Sequence, residues 1–441
     1  MNFSTPEKMK LDASVSGFFG AAILTIIAIL CLYLVPVFPA QYTGSIYILC
    51  HILLTISMFI IWHRPHLRME YILLIAIVIH LVLFPAPIFS SNDSERYLWD
   101  GAVALSGFDP YILSPNSPEL AELRKIWPTP EEHAKYPTLY PPGALLLFSL
   151  SAMAGPVKGI WLWKILATLA SLTSIVIGYD LLKRRNLLRH FPLLALSPLL
   201  IMETAIGAHL DVFSVLAVVV ALALFDREKF VLAGMILGWS VSVKFLPALI
   251  AGPLLFTLGP KNAFRFVSAS LVTVLVIYGL ARVMGLEAFG LLPVFFEKWR
   301  FGSPVYNMIE FIFKPAQIIW VIMVIALMMF SLSAFMARKK QMVLAVLVTL
   351  CVPLLLSPVV FPWYLLVLIP FVALRPNVTI LAWISVAPLS YIVLNKWVSE
   401  GIWQPQIWPL WIIAIAIITG LILDSYFQRD SYFQRRSKPN D

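Results

Sequence analysis

Charge is scarce in this chain. Only 12% of its 441 residues are Asp, Glu, Lys or Arg, while 60% are hydrophobic. Soluble domains carry about 25% charged residues. The scarcity therefore excludes a soluble globular protein, and a mean hydropathy of +0.88 points to a polytopic helical membrane protein. Cysteine is nearly absent too. Cys31, Cys50 and Cys351 each lie inside an apolar run, which excludes a disulfide framework and a zinc-binding spacing. There is no glycine-rich phosphate loop and no polar stretch large enough for a cytoplasmic nucleotide-binding domain. The first apolar run, about 16–39, is too long for the h-region of a leader and reads as a retained span. The net charge of +9 comes from short basic clusters between apolar runs. That is the pattern of cytoplasmic loops, not of a nucleic-acid-binding surface.

What is present threads a membrane. Lys8 and Lys10 put the N-terminus inside, and spans over about 16–39, 44–62 and 70–88 lead to a stretch, 89–140, on the outer side. That stretch holds eight acidic residues against four basic ones. The run 141–155 is short for a span. If it crossed, Lys183, Arg184 and Arg185 would face outside, so it reads as an interfacial or re-entrant helix starting on Pro141-Pro142, where proline suits a first turn. Further spans are expected near 159–182, 191–207, 210–225, 230–243, 246–258, 264–284, 316–336, 342–357, 363–374, 378–395 and 406–423. The expected fold is all-α, with about 12–14 transmembrane helices. Its parts are three N-terminal spans (1–88), an outer loop with interfacial helices (89–158), a multi-span core (159–423) and a disordered cytoplasmic tail (424–441) that repeats DSYFQR. Spans 230–243 and 246–258 are too short to cross about 30 Å of hydrocarbon, so they should leave a cavity beside the outer turn.

The densest polar segment is Ser90–Gly101, directly after the third span. Charge held at the bilayer surface is costly and usually serves chemistry or ion binding. Asn92 followed by Glu95 has capping-box spacing, so a helix should begin there and stop near Gly107. Asp93, Arg96, Tyr97 and Asp100 then share one face. Asp93 sits in the first turn, where the helix dipole favours a carboxylate. Other unusual residues gather at expected outward ends: His209 and Asp211, Lys244, Lys298 and Arg300, and Trp363 and Tyr364.

These segments resemble a known family. N-D-S-E-R-Y-L-W-D-G, G-F-D-P-Y and Y-P-P-G are similar to the first outer loop of GT-C superfamily glycosyltransferases, in the branch that uses polyprenyl-phosphate hexoses, often mannose. Asp93-Ser94-Glu95 matches the superfamily's modified D-x-D signature as D-x-E. A-H-L-D, V-K-F-L-P, the loop around Lys298–Arg300 and F-P-W-Y extend the likeness over about 90–405. The chain departs from many relatives in an extra hairpin before the loop.

The resemblance implies inverting transfer of a hexose, mannose being the family's commonest, from a polyprenyl-phosphate donor to a hydroxyl of a lipid or glycan acceptor. The setting is the outer face of a prokaryotic plasma membrane, with membrane lipids as neighbours and nucleic acid excluded. Asp93 matches the leading acid of the signature and is the expected base, with Glu95 secondary. A leaving lipid phosphate needs cations, for which Lys244 and Arg96 come first, then Arg300 and Lys298. Asp100, Tyr140, His209, Asp211, Trp363 and Tyr364 complete the expected substrate site. Trp99, Tyr111 and Trp299 could equally stack on sugars or form an interfacial aromatic belt. His209 and Asp211 alone make no metal site, so no cofactor is certain, and a divalent cation is possible but not expected. Two rival classes remain: a flippase or transporter of lipid-linked sugars, which should carry charge at mid-bilayer, and a polysaccharide polymerase.

Overall fold

The computed structural model describes residues 6–64, 67–129 and 134–436. Glu131 and Glu132 of the acidic loop, Pro65 and His66 of the first inner turn, and Lys438 of the tail lie outside the described residues. The fold is all-α, 76% helical. Among the described residues the only strand-like pairing is one parallel bridge, Phe301 with Val359. Among the described residues seven helices are long and apolar enough to cross a membrane by length and composition: those containing 17–37, 40–62, 155–184, 260–283, 315–338, 378–400 and 408–427. Seven shorter apolar helices accompany them, among them Met69–Leu83, Asp211–Phe225 and Phe230–Val243.

Several expected spans are broken, and proline marks the breaks. The expected helix 191–207 is two pieces, Pro192–Ala195 and Pro198–Ala205. Leu246–Ile250 and Pro362–Leu368 begin as 3-10 turns with proline in their first turn before passing into short α-helices. Proline supplies no N–H and fixes φ, so a long apolar run carrying it makes short segments instead of one rod. Broken segments of this kind survive only where protein buries their backbone, and here they are buried. Leu193, Leu200, Leu365, Leu366 and Phe371 are all at 0–1% exposure.

The polar loop is a structured cap. Its helix, Asp93–Leu105, starts where expected and ends at Gly107, whose φ of +80° suits glycine. The Asp93 amide donates to Ser91 Oγ at 2.9 Å, and the Asn92 side chain makes no capping bond. The run after Tyr140 forms a helix, Pro142–Ala152, with proline in its first turn. The two lie in close contact: a Cβ on Gly101 would stand 2.4 Å from the Phe148 carbonyl carbon. Likewise a Cβ on Gly143 would stand 2.6 Å from the Ser242 carbonyl oxygen, so this helix is pressed against Phe230–Val243. The glycines of W-D-G and Y-P-P-G thus fasten the loop to the bundle. Asp109 of G-F-D-P-Y adds a second fastening, accepting from the amides of Tyr111 and Glu287, both at 2.8 Å.

The C-terminal segment differs from the expected disordered tail. One helix, Trp408–Arg436, continues through both DSYFQR copies. Asp424, which opens the first copy, accepts from the amides of Val378 and Thr379 at 2.9 Å each and from the Thr379 hydroxyl at 2.7 Å. It therefore caps the start of helix Val378–Val386 from outside that helix.

Candidate active site

Asp93, Arg96, Tyr140, Asp211, Lys244, Trp363 and Tyr364 line one cavity of about 530 Å³. Its other walls are apolar: Val243, Leu246 and Leu249 after the short helix, Val294 and Phe295 of Leu292–Lys298, and Leu354 beside Pro353. Charge and hydrocarbon share one space.

Each polar group is delivered by an identifiable local device. Asp93 is the first residue of its helix. Tyr97, one turn on, donates to Asp93 Oδ2 at 3.3 Å and stacks on Phe148 with ring centroids 4.5 Å apart. Burial, with Tyr140 and the Asp93 carboxylate nearby, pushes the Tyr97 phenol well above its ordinary range. Burial and then Asp93 do the same to Tyr140. Both phenols stay neutral hydrogen-bond donors around the carboxylate.

Asp211 opens the helix Asp211–Phe225, where the dipole favours its charge. Lys244 ends the helix Phe230–Val243 in extended conformation. Its ammonium pairs with Asp211 Oδ1 and lies 4.1 Å from the Tyr364 ring centroid, a cation–π distance. Lys244 thus faces the cavity. Arg96 is buried, donating from Nε to Asp100 Oδ1 at 2.8 Å and from Nη2 to the Tyr136 carbonyl at 2.9 Å.

Five expected site residues, Glu95, Asp100, His209, Lys298 and Arg300, do not line this cavity. Arg300 forks onto Glu310 at 3.0–3.2 Å and sits over Tyr306, outside the cavity lining. Lys298 lies 5.7 Å over the Tyr136 ring. Glu95 is exposed and faces a second cavity of about 640 Å³, shared with Lys164, Trp161 and Trp397. Among the aromatics, Trp99 belongs to neither a sugar platform nor a belt. It is buried in a small core with Leu98, Val103, Leu120 and Trp127 inside the loop. Tyr111 is buried as well, whereas Trp299 lines the cavity.

His209 lies behind the cavity wall. It is fully buried and stacks on Trp363 with centroids 3.8 Å apart. Its Nε2 is 3.9 Å from Asp93 Oδ2, and its Nδ1 is 2.8 Å from Oε2 of Glu203. That second contact has ion-pair distance, but neither ring nitrogen makes a hydrogen bond. Sequence reasoning missed Glu203, a single acid inside the apolar run Pro198–Ala205. Among the described residues no three His, Cys, Asp or Glu side chains converge with metal-site geometry.

Residues 19–259, over half of the chain, match the family model described as alpha-(1->6)-mannopyranosyltransferase, N-terminal domain, of the MptA_B family. The chain belongs to this family. It is a GT-C type mannosyltransferase, an enzyme of the hexosyltransferase class. The matched stretch carries Asp93, Glu203, His209, Asp211 and Lys244, while Trp363 and Tyr364 come from beyond it. No curated protein matches the mannosyltransferase chain.

Proposed function

We propose that this mannosyltransferase takes its sugar from a polyprenyl-phosphate donor and passes it, with inversion, to a hydroxyl of a glycan or lipid acceptor on the outer face of the plasma membrane. The supporting observation is the two-natured cavity. Its apolar walls at Leu246, Leu249 and Leu354 suit a lipid chain, and its polar end holds Asp93 and Lys244.

The acceptor oxygen attacks the anomeric carbon as the bond to the phosphate oxygen breaks. Asp93 takes the hydroxyl proton as base, and the released phosphate keeps the bonding electron pair. Lys244 offsets the charge that grows there, and Arg96 stands at the same wall. Tyr140 and Tyr364 flank the sugar position. Asp211 holds the Lys244 ammonium in place. Family membership favours this reading over a flippase or a polymerase, because the family's reaction is sugar transfer.

The donor is tested with purified protein, a glycan acceptor, and radiolabelled mannose on either a polyprenyl phosphate or a nucleotide. Product from the lipid donor alone is expected. Product from the nucleotide donor alone would overturn the reading. Sidedness is tested by cysteine placed at Ser117 and at Asn186 and labelled in intact cells with an impermeant reagent. Ser117 should label and Asn186 should not; the reverse would put the cavity on the cytoplasmic face.

A further inference from the structure

Lys164 belongs to the helix Gly155–Arg184, is 3% exposed, and lines the second cavity. Its ammonium has three protons to donate. Among the described residues it makes one hydrogen bond, to the Ala86 carbonyl, and no ion pair. Aromatic rings supply its other neighbours, with the Phe84 and Trp161 centroids 5.9 and 5.7 Å away. A buried charge is costly unless an opposite charge pairs with it. A carbonyl and two ring faces do not neutralise an ammonium.

Two structural roles for this lysine fall short. Snorkelling to water is excluded by direction: Lys158 on the same helix is exposed, whereas Lys164 turns inward to Ala86. Capping is a small gain. Ala86 follows the helix Met69–Leu83, and a cation near a helix end contributes modestly beside the desolvation of a lysine.

The cavity has room for the missing anion, with a volume of about 640 Å³. Its lining includes Asn92, Ser94 and Glu95, from the start of helix Asp93–Leu105, where the positive end of the dipole favours an anion. The Glu95 carboxylate is exposed. Depth points to the source of the anion. Residues 164 and 184 are twenty apart on one helix, about 30 Å at 1.5 Å per residue, which matches the thickness of the hydrocarbon core. With the basic end at Arg184 on one membrane surface, Lys164 stands at the level of the lipid phosphates of the other. Trp161, 44% exposed, suits that interface. Leu81 and Val82 on one helix and Val157 on the other present exposed apolar side chains.

We propose that the second cavity is a phospholipid site: the phosphodiester of a glycerophospholipid headgroup pairs with Lys164, and the acyl chains lie along the exposed apolar residues of the two helices. The site is distinct from the transfer cavity, whose lining does not include Lys164, although Ser91, Asn92 and Trp397 line both.

The test uses the full-length protein in dodecyl maltoside, stripped of lipid, and reads the thermal unfolding midpoint, which rises with any ligand that binds only the folded state. Dioleoylphosphatidylglycerol should raise it by several degrees. Dioleoylglycerol, which has the chains without the phosphate, should not, nor should inorganic phosphate. No rise with the phospholipid would overturn the proposal. An equal rise with inorganic phosphate would overturn the lipid assignment, and an equal rise with dioleoylglycerol would overturn the pairing with phosphate. Lys164→Met should lose most of the lipid-dependent rise, while Lys158→Met should keep it. An undiminished rise in Lys164→Met would leave the lysine a helix cap and nothing more. Val398→Trp guards against a Lys164 variant that does not fold. Val398 lines the cavity at 43% exposure, so the larger ring narrows the site without altering the lysine, and the rise should again shrink. A full rise there would place the lipid elsewhere and overturn the proposal.

Discussion

Ion pairs gather at both ends of the bundle, and the two ends spend them differently. Where helices Gly155–Arg184 and Asp211–Phe225 finish, Arg184 and Arg227 share Asp180 at 3.0 and 2.6 Å, and Arg185 grips Asp226 at 2.5 Å. All five of these side chains keep access to water, from 20% to 54% exposed. Where the second of those helices begins, Asp211 meets Lys244, and one loop helix away Arg96 meets Asp100. There the acids are 7% and 1% exposed. Watered pairs contribute little to stability, about 0–1 kcal/mol. Buried pairs carry a desolvation cost that repays only with full hydrogen bonding. That cost is borne at the end that holds the candidate site.

The sharpest way to break this comparison is Asp93→Asn, which keeps shape and removes the base. Mannose transfer should fall by about 10²–10⁴-fold while the protein inserts and folds; a near wild-type rate in purified protein would shift suspicion to Asp211. Next in size is Arg96→Met. It breaks the pair with Asp100, which is 1% exposed, and breaking a buried pair costs about 3–5 kcal/mol, which should show as a large drop in the thermal unfolding midpoint. A wild-type midpoint would mean the loop carries its charge as cheaply as the far end does. Lys244→Ala should lower donor use by about ten- to a hundredfold, the worth of one charge-assisted contact of about 1.5–3 kcal/mol, with acceptor dependence little changed. Kinetics over a donor titration separate the two. The smallest effect belongs to Arg185→Ala at the far end: a stability change of at most about 1 kcal/mol and an unaltered transfer rate. A lost rate there would show that the ends are coupled.

Much of the site was legible because its residues stand out locally. Asp93, Arg96 and Asp100 interrupt a charge-poor chain at helical spacing, and the helix that carries them runs as the cap and Gly107 suggested. Lys244 was conspicuous as the sole charge between Lys229 and Lys261, and its partner Asp211 was already a candidate. Glu203 stayed hidden because one acid in an apolar run has no local pattern. Its tyrosine partners are 156 and 188 residues away, a distance no periodicity bridges. Arg300 and Lys298 stand outside the cavity lining. Their cluster was visible, but Glu310, ten residues on, claims the arginine. For the fold, span positions followed from hydropathy, while the splitting of 191–207, 246–258 and 363–374 depended on where buried neighbours could shelter broken backbone.

The tail repeat has arithmetic of its own. A six-residue unit on an α-helix advances about 9 Å and turns about 600°, so two tandem copies cannot show the same face to one neighbour. The first copy spends its aspartate on the amides of Val378 and Thr379. Deleting Asp430–Arg435 should leave the clasp whole, whereas deleting Asp424–Arg429 should slide the second copy into its register and restore the same contact with the duplicate letters.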